Sequence, residues 1–112
     1  MTLKASTLLG IKEEIKAILL TALRDTDCYL FLFGSQVSKR SHQHSDFDIG
    51  ILAEKPIDFA LMSRLKGYME AILYPIDVVD FYHVREDFRK IALRHVEVWK
   101  RPEHPEKFKF QI

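Results

Sequence analysis

Cysteine is nearly missing from this chain, and its scarcity removes two architectures at once. Cys28 stands alone among 112 residues, so neither an internal disulfide nor a cysteine-built zinc site can form. No apolar run approaches the ~20 residues needed to span a bilayer, which argues against an integral membrane protein. The opening MTLKASTLLGIKEEIK meets two glutamates directly after a short apolar patch and offers no h-region, so a secretory signal is not expected and a cytoplasmic location is. A formal net charge of +1 leaves no broad basic field of the kind that grips long duplex nucleic acid. Internal repeats, low-complexity tracts and dividing linkers are also missing. One domain is expected over residues 1–100, long enough to bury roughly two-thirds of its unfolded surface. The tail 101–112, with two prolines and many charges, is expected to be loosely held or completed by a partner through Phe108 and Phe110.

What is present alternates between two periods. Leu8, Ile11, Ile15, Ile18, Leu19, Ala22 and Leu23 recur at helical spacing behind a Ser6 or Thr7 cap, and Asp25 to Asp27 supply a turn. CYLFLF, residues 28–33, lacks alternation and reads as a strand covered on both faces. Residues 46–52 alternate cleanly: Phe47, Ile49 and Ile51 anchor a strand on the core, while Asp46, Asp48 and Gly50 face a cleft that Gly50 keeps open. Asp58 caps a second helix carrying Phe59, Met62, Leu65, Met69 and Ile72, a stripe that reads as core, and Pro75 ends it. IDVVDF, residues 76–81, is strand-like, setting Asp77, Val79 and Phe81 against Ile76, Val78 and Asp80. A third helix over 85–95 carries Phe88, Ile91, Ala92 and His95 behind acidic Glu86 and Asp87, and residues 96–99 suggest a last short strand. The class is α/β (α+β), a small mixed β-sheet packed by helices.

The chemistry centres on GSQVSKRSHQHSDFDIGIL, residues 34–52. Residues i and i+2 of a strand share a face, so Asp46 and Asp48 repel by roughly 4 kcal/mol at 4 Å and an effective dielectric near 20. A divalent cation relieves that repulsion. Gly34 and Ser35, at the exit of a strand, offer backbone N–H groups and a hydroxyl to a phosphate chain, although the same pair also makes plain turns. Phosphates held there call for Mg²⁺, which prefers carboxylates together with substrate phosphate oxygens. A third carboxylate from 76–81 completes a two-metal site for displacement at phosphorus, and strand parity lets only one of Asp77 and Asp80 face it. His42 and His44 lie in a polar loop, as exposed side chains or as phosphate or base contacts; His95 reads as a core or partner-facing residue. Ser35 has no sequence-evident base and is rejected as a covalent nucleophile.

Gly34-Ser35, Ser45-Asp46-Phe47-Asp48 and Ile76-Asp77-Val78-Val79-Asp80 together resemble the DNA polymerase β nucleotidyltransferase superfamily, and within it the minimal nucleotidyltransferases, over roughly residues 8–99. The resemblance implies the polymerase β-like fold and Asp46, Asp48 and Asp77 as catalytic metal ligands. It implies Gly34, Ser35 and Ser45 as nucleotide-binding residues. Many small members carry Arg-Gly where Ser38-Lys39 stands here, and arginine where Gln36 stands; Lys39 and Arg40 are the candidates to replace that positive charge. The implied activity is Mg²⁺-dependent transfer, through two ions, of AMP from ATP (or NMP from another NTP) to a hydroxyl of a partner. That partner would be a small all-helical HEPN-type protein in a toxin-antitoxin hetero-oligomer. Two other readings are a non-catalytic module that neutralises its partner by binding, and a D-x-D glycosyltransferase, which the short chain disfavours.

Overall fold

A computed structural model describes residues 7–37 and 46–112. Its order of elements is α1 (Leu8–Ala22), β1 (Cys28–Phe33), β2 (Phe47–Ala53), α2 (Phe59–Glu70), β3 (Ile76–Asp80), α3 (Glu86–Ala92) and β4 (Val96–Lys100). The four strands form one sheet in the order β3-β2-β1-β4. β1 runs antiparallel to both β2 and β4, whereas β2 and β3 are parallel. That parallel pair needs a crossover, which α2 supplies. The sheet is therefore mixed, as the sequence pattern indicates.

Local chemistry fixes the helix starts. The Thr7 side chain accepts from the Gly10 N–H at 2.9 Å, and the Asp58 carboxylate accepts from the Leu61 N–H at 3.3 Å. Each satisfies one of the donors that a helix N-terminus leaves free. α1 and α2 cover one face of the sheet, where Ile11, Ile15, Leu19, Leu30, Leu32, Phe47, Ile49, Ile51, Leu65 and Met69 form a single cluster. Phe59 is the exception in its stripe: it is 85% exposed at the first turn of α2. Among the described residues no helix is long and apolar enough to cross a membrane.

The opposite face differs from its sequence reading in two ways. Gly50 does not keep that face open. A Cβ there would collide with the rings of Phe31 and Phe81, which meet edge-on with centroids 4.9 Å apart, so the missing side chain is the space those rings occupy. Nor is the tail loose. Phe108, 8% exposed, packs edge-on against Tyr29, and Arg89 lies over the Phe110 ring at 4.4 Å. The Glu103 N–H also donates to Asp27 at 2.6 Å. Phe81, Ala92 and Phe108 thus join Tyr29, Phe31, Phe33 and Leu52 in a second cluster. Among the described residues a cleft opens on that face at its Asp48 end. At the other edge Lys12 pairs with Glu97 at 3.1 Å, tying α1 to β4.

Candidate active site

β1 ends at Phe33, the register partner of Asp48 on β2. The chain then turns through one turn of 3₁₀ helix, Gly34–Gln36. Gly34 has φ 81°, a conformation open to glycine and strained for residues with a Cβ. Any Cβ at Gly34 would also strike the Asp48 carboxylate, which lies against this backbone. The positive φ selects glycine here, and the Asp48 carboxylate uses the space that a side chain would take.

On the other side of β2, Asp48 is the register partner of Asp77 on β3. Asp46 precedes β2 and is exposed, Asp77 is exposed, and Asp48 is half-buried. Burial, then the charge of Asp77, then that of Asp46 push the Asp48 carboxyl above its ordinary value. The charges of Asp77 and Asp46 thus both act on Asp48. Among the described residues no three or more acidic, histidine or cysteine side chains are grouped so that they could hold a metal ion on their own. A metal here would need further ligands, and a hard cation commonly shares a few carboxylates with phosphate oxygens.

Asp80, the competing carboxylate of β3, is fully engaged elsewhere. Its Oδ2 accepts from the Ile57 N–H at 2.9 Å and its Oδ1 from the Tyr82 N–H at 3.0 Å. It ties the start of α2 to the turn after β3. Ser35 is half-buried beside Gly34. Lys39, Arg40 and Ser45, with His42 and His44, lie outside the described residues.

Beside Gly34 and Asp48 opens a cleft of about 290 Å³, lined also by Phe33, Phe88, Ile91, Ala92 and His95. Sequence spacing placed Phe88, Ile91, Ala92 and His95 on one helical stripe, with His95 as a core or partner-facing residue. α3 instead ends at Ala92, leaving His95 exposed in the turn before β4, and only Ala92 of the four is buried. The i, i+3, i+4 pattern that marks a core face marks a cleft wall equally well, so spacing alone could not separate them. A larger hollow, about 560 Å³, lies between α1 and α2 and is lined by Ala17, Ile18, Thr21, Ala22, Tyr68 and Ala71. It carries no carboxylate and lies on the helix-covered face, away from the triad.

The chain is similar to known proteins. Residues 13–104 match the family described as Polymerase beta, Nucleotidyltransferase. A probable protein adenylyltransferase, MntA, of Haemophilus influenzae is 38% identical over 87 residues, covering 74% of this chain and 76% of that protein. Among solved structures, a toxin-antitoxin with AMP-PNP superposes with a TM-score of 0.62 at 22% identity, over 80% of this chain and 75% of that one. The complex of a tri-AMPylated Shewanella oneidensis HEPN toxin with its MNT antitoxin gives 0.60 at 19% identity, over 85% and 76%. At those identities the structural likeness speaks for the fold.

Proposed function

Because the chain belongs to the polymerase β nucleotidyltransferase family, we propose that it transfers AMP from ATP to a hydroxyl on a protein partner, as the antitoxin of a toxin-antitoxin pair. The partner is a small helical HEPN-type protein bound as a hetero-oligomer in the cytoplasm. The observation that carries the reading is the placement of Asp48, which pairs in register with Asp77 and lies against Gly34, whose positive φ favours glycine. The 38% identical relative named as a probable protein adenylyltransferase supports the choice of AMP and of a protein acceptor. The AMPylated HEPN toxin bound to its antitoxin, a fold relative, supports the choice of partner.

Asp46, Asp48 and Asp77 would hold two Mg²⁺ ions, with substrate phosphate oxygens as the remaining ligands. When bound, Mg²⁺ would neutralise the phosphate charge, activate the attacking hydroxyl and stabilise the pyrophosphate that leaves as the new bond to the α-phosphorus forms. Gly34 and Ser35 grip the phosphates through backbone N–H groups and the serine hydroxyl, with Ser45, Arg40 and Lys39 contributing from the residues that follow. The bare Gly34 Cα lets the Asp48 carboxylate lie against this phosphate-gripping turn. Asp77, exposed at the sheet edge, is available to take the proton of the incoming hydroxyl.

The test is to incubate the protein with Mg²⁺, α-labelled ATP and the helical partner encoded beside it. Label is expected on the partner with the natural chain and lost with Asp46→Asn and Asp48→Asn. Neutralisation of the partner by both variants, with no label transferred by any form, would favour a purely binding antitoxin instead.

A further inference from the structure

Phe88 and Ile91 are large apolar side chains left 44% and 62% exposed on α3, and both face the cleft that opens beside Gly34 and Asp48. The Phe88 ring is not free to collapse. It is held edge-on to Phe33 at 6.1 Å and tilted against Phe81 at 6.0 Å. A ring fixed on one side and still wet is a platform, since aromatic surface of this kind gains by covering a second planar group. The cleft volume, about 290 Å³, sits at the small end of ligand pockets and suits one ring system better than a whole molecule. Its wall includes Gly34 and Asp48 but neither Asp46 nor Asp77, so it lies on the phosphate-gripping side of the triad.

Resting on the nucleotidyl-transfer reading, we infer that this cleft is the nucleobase subsite, in which the base of the NTP stacks on Phe88 and is walled by Phe33, Ile91 and Ala92. Among the described residues its only side chains with hydrogen-bonding groups are Asp48, which faces the phosphates, and His95, exposed in the turn before β4. Stacking tolerates every base, because each has a π-face, whereas discrimination needs edge hydrogen bonds. The subsite therefore holds purines more tightly than pyrimidines through ring area and separates adenine from guanine weakly.

Titration calorimetry of the full chain in Mg²⁺ buffer, with ATP, GTP, CTP and inorganic tripolyphosphate, tests this. Phe88→Leu keeps apolar volume and loses the ring; the Kd for ATP is expected to rise about tenfold while that for tripolyphosphate is unchanged. Ile91→Ala, on an exposed helix position, is expected to shift ATP in the same direction and keeps the test alive should Phe88→Leu misfold. Unchanged ATP binding in both variants, or equal weakening of tripolyphosphate, overturns the assignment. So does a loss of AMP transfer to the partner with ATP binding intact, since the cleft would then belong to the acceptor. A natural chain that binds neither ATP nor tripolyphosphate defeats the nucleotidyl-transfer reading itself, whereas one that binds both equally defeats only the base subsite.

Discussion

Replacing Asp48 with asparagine should make the metal-free protein more stable while removing its response to Mg²⁺. Asp48 is held above its ordinary pKa by burial, then by Asp77, then by Asp46. Adjacent strands lie about 4.8 Å apart, so the charges of two register partners sit near ~5 Å, a repulsion of about 3 kcal/mol at an effective dielectric of 20 and about 0.8 in water. Exposure of Asp77 moves the figure toward the lower bound, giving about 1 kcal/mol, and a Tm rise of roughly 4 °C for Asp48→Asn. The pH dependence has a definite sign. With its folded pKa raised, the native state binds more protons than the unfolded chain above the ordinary carboxylate value of 3.8. Native stability is therefore lost as pH rises through the raised value, and the advantage of the variant, full above that value, vanishes as pH falls to the unfolded one. Mg²⁺ reverses the order: at a hundred times Kd it adds about 2.7 kcal/mol to the natural chain and little to the variant. Thermal melts in EDTA and in Mg²⁺ across the acid range measure both effects. A variant that melts below the natural chain in EDTA, or Mg²⁺ raising both equally, would refute the reasoning.

Three further outcomes follow from the same packing. Asp80→Ala leaves the Ile57 and Tyr82 N–H groups without their acceptor and should lower stability by about 1–3 kcal/mol in urea melts, the opposite sign to Asp48→Asn on the same patch of sheet. Phe108→Ala removes the ring packed on Tyr29 and should cost about 3 kcal/mol, with faster proteolysis of the tail; a change within error would mean that the tail does not belong to the fold. Cys28, fully buried and pushed by burial up to about 11, should resist alkylation at pH 8 until the chain is unfolded.

Much of this was legible in the residues. Thr7 and Asp58 announced their helices through caps, and the alternation of 46–52 assigned Phe47, Ile49 and Ile51 to the core. Strand parity narrowed the third carboxylate to Asp77 or Asp80, and the register with Asp48 separates them. Alternation says which side chains share a face, however, and not what covers that face. Gly50 read as an opening because its lids, Phe31 from β1 and Phe81 from beyond β3, arrive from positions 19 before it and 31 after it in the chain. Phe108 closes the same face from farther still, through contacts with Tyr29 that no local pattern encodes. Phe88 and Ile91 were visible as a stripe, but only the short α3 and its place beside Gly34 turn that stripe outward.

The central claim is that Asp48 and Asp77, joined by strand register, work as one metal-dependent transfer site from which Asp80 is excluded. Its most direct test is label transfer from α-labelled ATP to the helical partner, with and without EDTA, using folded Asp77→Asn and Asp80→Asn variants side by side. Transfer is expected to require Mg²⁺, to disappear with Asp77→Asn and to survive with Asp80→Asn. Transfer that persists in Asp77→Asn, or that fails only in Asp80→Asn, would contradict that claim.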